Sequence, residues 1–302
     1  AGDAKRETFD FRATAPVDDG KQRVTASGND ANDAIEKPIT VHPDGEQLTT
    51  TAGDVLGNSA TLDLNLPDTM LAGWKRAELK IYPNLMAHVI ESVEAIMARP
   101  YGCAEQSISA TYPSLLLLRN YKQTGEDFHL RARAQRYLND GYSRLLNYRE
   151  EDGGFSYWGR GEPDVAVTAY ALRFLMDTAD VIDVNEDVID GARDWLLKQQ
   201  GADGGWRAHE YWSGADQKRH SALLTAYVTH VLAMNATRKP AQKETSAALK
   251  RALDYLNLRT SEIDEPYLMA SYALGALDLK DATTAGKIVG KLRSLAHNER
   301  GA

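Results

Sequence analysis

A turn written twice limits what this chain can fold into. Asp152-Gly-Gly-Phe-Ser-Tyr-Trp158 recurs as Asp203-Gly-Gly-Trp206, with Tyr211-Trp212 following. Each copy precedes a similar stretch, first Val167-Thr-Ala-Tyr-Ala-Leu-Arg-Phe-Leu175 and then Leu224-Thr-Ala-Tyr-Val-Thr-His-Val-Leu232. A third version, Met269-Ala-Ser-Tyr-Ala-Leu-Gly-Ala-Leu277, lacks the glycine turn just before it. A repeat of roughly 50 to 57 residues that holds two helices predicts stacked helical hairpins. The Gly-Gly pair supplies a turn with positive φ. The aromatic after it plugs the space between neighbouring hairpins, so core packing is the first role assigned to these rings.

The rest of the chain divides by periodicity near Pro83. Before it, Glu7-Thr-Phe-Asp-Phe-Arg-Ala-Thr14, Lys21-Gln-Arg-Val-Thr-Ala26, Ile39-Thr-Val41, Ser59-Ala-Thr-Leu-Asp-Leu-Asn-Leu66 and Ala77-Glu-Leu-Lys-Ile-Tyr82 alternate with period two between Gly-, Asn- and Asp-rich breaks. That pattern predicts strands. After Pro83 the apolar positions step by three and four, as in Met86, Val89, Ile90, Val93 and Ile96, and about nine helices are expected. The expected organisation is a β-rich segment over 1–82 and a helical domain over 83–302.

Composition removes several classes of function. The net charge of −8 leaves no concentration of basic residues for a nucleic-acid phosphate backbone. No apolar run approaches the roughly 18 residues a membrane span requires. The single cysteine excludes an internal disulfide, so compartment cannot be read from cysteine usage.

That cysteine lies in Pro100-Tyr-Gly-Cys-Ala-Glu-Gln106. Side chains at i and i+3 of a helical turn stand about 5–6 Å apart at Cβ, so the Cys103 sulfur and the Gln106 amide carbon can meet. Attack of the thiolate on that amide with loss of ammonia leaves an internal thioester. Proximity within one turn can raise the effective concentration to about 10⁵ M or more. Pro100 and Gly102 shape the approach to the turn, and Pro113 is expected at the start of a further helix, where proline is tolerated. Cys-x-x-Gln alone is a common spacing, and a buried cysteine is usually a small hydrophobe.

The longer string carries more. Tyr-Gly-Cys-Ala-Glu-Gln-Ser, followed by Pro113 and an apolar helix, resembles the thioester motif of the α2-macroglobulin and complement superfamily, and the Pro-Tyr-Gly-Cys form with a non-glycine after the cysteine looks like its bacterial α2-macroglobulin branch. The glycine turns likewise resemble those of αα-toroids. The resemblance implies a mainly α fold, an αα-toroid preceded by a small β-rich, CUB-like or macroglobulin segment. The toroid is expected to be incomplete at the C-terminus and the chain to be a fragment of a larger protein. Apolar ring surface exposed in this way predicts dimerisation or a loose C-terminal end.

The resemblance also implies a function. Cys103 is expected as thiol leaving group and Gln106 as acyl donor, with Tyr101, Gly102 and Glu105 supporting the turn. The module would act once, acylating an amine or hydroxyl of a trapped protease, and so would be an inhibitor rather than an enzyme. Its partners would be proteases and the remaining domains of the parent, in the periplasm or outside the cell. In some complement relatives a histidine after the second glycine turn redirects the reaction to hydroxyls. His209 is the nearest candidate here, but its spacing does not match and Glu210, Tyr211 and Trp212 compete. Trp158, Tyr211 and Trp212 are candidates for an aromatic wall around the thioester, against plain packing.

Two other classes stay open at this stage. A toroid enzyme of the prenyltransferase type needs zinc held partly by a cysteine, and the one cysteine is already in the thioester string. A terpenoid cyclase needs an aspartate-rich acid motif, and no Asp-x-Asp-Asp occurs. A non-reactive scaffold module predicts a thiol that is free even in the native parent. His209, Glu210, His220 and His230 lack helical ligand spacing apart from the adjacent first pair. Neither a metal nor a cofactor is expected.

Overall fold

A computed structural model describes residues 6–29, 31–63, 66–68, 70, 75–120, 128–208, 214–240 and 243–296. The chain divides into two compact units, Ala1–Leu79 and Lys80–Ala302.

In the first unit, β1 (Val17–Ser27) and β2 (Asn32–Val41) form an antiparallel hairpin, with Lys21 opposite Pro38 and an irregularity between Val17 and Gly20. The alternation at Lys21–Ala26 and Ile39–Val41 falls inside this ladder. The segments 7–14 and 77–82 and the described part of 59–66 are not strands; Leu64 and Asn65 lie outside the described residues. Alternation sorts side chains to two faces, but a strand also needs a second backbone about 4.8 Å away. Among the described residues only the two hairpin arms find one, and no described residue of this unit is buried.

The second unit contains, among the described residues, nine helices: α1 (Leu85–Ile96), α2 (Ala104–Asn120), α3 (Phe128–Leu146), α4 (Val165–Thr178), α5 (Glu186–Lys198), α6 (Gly214–Arg238), α7 (Lys243–Asn257), α8 (Pro266–Asp278) and α9 (Ala282–Leu295). The even helices pack on one another in order, α2 on α4, α4 on α6 and α6 on α8. Helices α3, α5, α7 and α9 each lie against the even helix before them, and α1 rests on α2. An inner and an outer row of paired helices is the arrangement of an αα-toroid.

Sequence explains which helix goes where. Inner α4 buries nine of its 14 residues, covered by neighbours on several sides. Outer α7 buries Thr245, Ala248, Leu249, Ala252, Tyr255 and Leu256, a single stripe at three- and four-residue steps. Polar residues inside the inner row bond back along their own helix. Thr111 donates to the Ser107 carbonyl at 2.6 Å, Thr225 to Ser221 at 2.7 Å and Thr229 to Thr225 at 2.7 Å.

The two glycine turns share their backbone conformation and their main contacts. Gly153 and Gly204 have φ of 96° and 91°, the left-handed region that favours glycine. Each second glycine lies on an aromatic of the outer helix, Gly154 on Trp195 and Gly205 on Tyr255, with no room for a Cβ. The aromatic that follows is fully buried, and its backbone N–H donates to a threonine of the next inner helix, Phe155 to Thr168 and Trp206 to Thr225, both at 2.9 Å. The third repeat closes differently. Lys291 of α9 donates to the carbonyls of Thr260 and Ile263 ahead of α8, and Glu265 with Pro266 starts that helix.

Pro113 departs from expectation. It does not begin a helix but sits buried inside α2, which continues through it from Ala104 to Asn120. Packing of α2 against α3 and α4 outweighs the backbone hydrogen bond that proline cannot make.

Candidate functional site

Cys103 stands immediately before α2, so the first-turn N–H groups of that helix point towards its end of the turn. The preceding Gly102 has φ of 77°, a conformation reserved for glycine in practice. This reversal folds the chain back so that the Gln106 side chain reaches Cys103, whose backbone N–H donates to Gln106 Oε1 at 3.1 Å. The thiol is unbridged and buried, whereas Gln106 and Glu105 are exposed and Tyr101 is 64% exposed. Glu105 accepts a hydrogen bond from Ser109 at 3.3 Å. The same Ser109 hydroxyl lies 3.2 Å from the Tyr170 hydroxyl of α4.

Residues far along the chain hold the turn. The Gly102 carbonyl accepts from Arg144 Nη2 at 2.8 Å and from the Tyr148 hydroxyl at 2.6 Å. Arg144 also donates from Nε to Ser107 Oγ at 3.0 Å, and Ser107 donates to the Tyr101 carbonyl at 3.2 Å. On the other side, the Ala104 N–H donates to the Tyr157 carbonyl at 2.9 Å. The first glycine turn thus caps the helix that starts beside Cys103. Burial, with the Asp164 and Glu105 carboxylates and the Cys103 sulfur nearby, raises the Tyr157 phenol above its ordinary range.

Of the aromatic candidates, Trp158 has its side chain turned outward, 70% exposed. Its neighbour Tyr157 meets the turn through its carbonyl, which accepts the Ala104 N–H. His209, Tyr211 and Trp212, with Glu210, lie outside the described residues. Sequence reasoning singled out neither Arg144, Tyr148 nor Tyr157. The i, i+4 spacing of Arg144 and Tyr148 is a helical-face signal, but it does not reveal which carbonyl the pair meets.

Elsewhere, among the described residues, no group of three or more His, Cys, Asp or Glu side chains is arranged to hold a metal ion. His230 is buried in α6 with Nδ1 unpartnered. Burial and the nearby Arg173 push its imidazole down to about 4, against a smaller opposing pull from Asp177. A groove of about 400 Å³ on the inner row is lined by Tyr170, Leu223, Leu224, Tyr227, Tyr267 and Leu268 and includes none of the Cys103 turn. No described helix is long and apolar enough to cross a membrane.

A family model described as the A-macroglobulin TED domain matches residues 77–302. Among curated proteins, allele S1 of thioester-containing protein 1 from Anopheles gambiae is 27% identical over 255 residues, covering 80% of this chain and 19% of its own length. Allele R1 is 26% identical over 257 residues with the same coverage. The chain therefore spans about a fifth of the length of the curated relatives it matches. Among solved structures, native Escherichia coli alpha-2-macroglobulin has a TM-score of 0.53 at 22% identity, covering 72% of this chain and 13% of that one. Salmonella alpha-2-macroglobulin reacted with methylamine has a TM-score of 0.52 at 22% identity, with the same coverage. At these identities the structural likeness carries the fold.

Proposed function

The chain belongs to the A-macroglobulin TED domain family, and from that premise we propose that Cys103 and Gln106 form an internal thioester used once to acylate a captured protease. The observation that supports this most directly is the Cys103 N–H donating to Gln106 Oε1 at 3.1 Å across a turn that only glycine at 102 permits. In bond formation the Cys103 sulfur attacks Gln106 Cδ. The Sγ–Cδ bond forms, the Cδ–Nε2 bond breaks, and the nitrogen leaves as ammonia with the thiol proton. In the second step an amine or hydroxyl of the target attacks the same carbon. The Cδ–Sγ bond breaks, and the proton lost by the nucleophile returns to the sulfur. The result is a covalent adduct and a free thiol, with no turnover, which is why the module reads as a protease inhibitor and not an enzyme.

The supporting residues divide by what they touch. Gly102 provides the reversal, and Tyr101 contributes a carbonyl to the network around Ser107. Glu105, Trp158 and, outside the described residues, His209, Tyr211 and Trp212 are candidates for shielding or steering the acyl group. Because Gln106 is exposed here, persistence of the thioester in water calls for a cover from the remaining domains of the parent. Residues 1–82 fit the strand-rich neighbour of the thioester domain in such a parent, and a bacterial, periplasmic or extracellular setting fits the Pro-Tyr-Gly-Cys form of the motif.

The test is a mass measurement on the natively purified parent. An intact thioester makes it about 17 Da lighter than its sequence, and methylamine adds roughly 31 Da while one thiol appears. A parent with neither change, and a thiol reactive from the start, overturns the proposal in favour of a non-reactive scaffold.

A further inference from the structure

We propose that Arg144 and Tyr148 are positioning residues for the Cys103–Gln106 pair: by gripping the Gly102 carbonyl they aim the Cys103 N–H at the oxygen of the reacting acyl group. The proposal rests on the thioester reading for its chemistry, but its geometry stands alone.

The Gly102 carbonyl and the Cys103 N–H belong to one planar peptide and point in opposite directions. Whatever fixes the first therefore aims the second. Glycine alone would leave this orientation loose, because without a Cβ it populates several φ/ψ regions at little cost. Two donors remove that freedom. Arg144 Nη2 and the Tyr148 hydroxyl lie 2.8 and 2.6 Å from the Gly102 oxygen and together use both of its lone pairs. The donors are themselves held. Arg144 bonds to Ser107 Oγ at 3.0 Å and its guanidinium carbon lies 5.8 Å from the centre of the Tyr148 ring. Ser107 in turn holds the Tyr101 carbonyl, so both peptides flanking Gly102 are tied to one network.

The consequence falls on Gln106 Oε1, which accepts the aimed N–H at 3.1 Å. That oxygen becomes the oxyanion whenever Cδ is attacked, by the cysteine sulfur in closing the thioester or by an amine in opening it. A donor already in place at such an oxygen stabilises the developing charge without reorganisation. A guanidinium on the far end of the peptide also polarises it, which strengthens the N–H as a donor.

Because Cys103 is the only cysteine, ¹⁵N-cysteine labelling yields one amide resonance, and the orientation can be read in this chain in its thiol form. Tyr148→Phe keeps the ring and removes one donor, Arg144→Lys keeps the charge but replaces the fork by a single ammonium, and the double variant leaves at most that ammonium on the Gly102 oxygen. We expect the Cys103 amide proton to move upfield and to exchange about tenfold faster in the double variant, with smaller changes in each single one, with the fold retained at a lowered melting temperature. In the parent, methylamine cleavage should slow by about ten- to a hundredfold, below the cost of deleting an oxyanion donor outright. The infrared band of a ¹³C-glutamine-labelled thioester carbonyl should move to higher frequency. An unmoved amide resonance in a folded double variant overturns the positioning role. A wild-type parent without the mass deficit of about 17 Da overturns the thioester reading and the reactive part of this proposal, while the resonance still decides the orientation.

Discussion

Gly102 and Gln106 compete for one space: a Cβ at position 102 would overlap the Gln106 amide oxygen, so any side chain there must displace Gln106. The constraint is double, because the residue also holds φ of 77°. Gly102→Ala should therefore destabilise the fold by about 1–3 kcal/mol and displace the Gln106 side chain. In the parent, the measurable outcome is a thiol that titrates without methylamine and an unaltered mass on treatment. A variant that still releases its thiol only with methylamine would show that the turn tolerates a side chain.

The paired turns predict paired energetics. Thr225 accepts the N–H of fully buried Trp206, as Thr168 does for Phe155. Valine preserves the shape and removes the acceptor, leaving a buried N–H unsatisfied at a cost of about 1–3 kcal/mol. Thr225→Val and Thr168→Val should lower the denaturation midpoint by similar amounts in urea titrations. A loss at only one site would break the equivalence of the two repeats.

Close approach of α2 and α3 depends on Gly141, where a Cβ would overlap the Thr111 side chain. Gly141→Ala should cost about 1–3 kcal/mol through overpacking. Adding Thr111→Ala makes room for the methyl group, so the pair should be less destabilised than the two single effects summed. An additive double-mutant cycle would place the strain elsewhere.

His230 links stability to pH. Its imidazole ordinarily titrates at 6.5 and is pushed down to about 4 by burial in the folded chain. Between those values the unfolded chain binds the proton and the folded chain does not, so stability is full above pH 6.5 and declines as pH falls towards 4. The decline attributable to this group is about 3 kcal/mol at most. His230→Leu should flatten the stability curve between pH 6.5 and 4 while leaving other acid-sensitive terms in place. An equal slope in the variant and the parent chain would assign the loss to carboxylates.

What the sequence by itself determined is local. The three-residue spacing of Cys103 and Gln106, the two Asp-Gly-Gly turns and the helical periods after Pro83 all follow from covalent reach and backbone sterics over a few residues. Tertiary structure decided the rest. The Arg144 and Tyr148 donors meet the Gly102 carbonyl across separations of 42 and 46 residues, which depends on how α3 and the turn that follows it pack beside α2. Packing also carries α2 through Pro113, turns Trp158 outward while the Tyr157 carbonyl accepts the Ala104 N–H, and leaves only two of the alternating segments with a strand partner among the described residues. Periodicity tells which face of an element is apolar. It does not tell which backbone carbonyl, forty residues away, that face will be brought to hold.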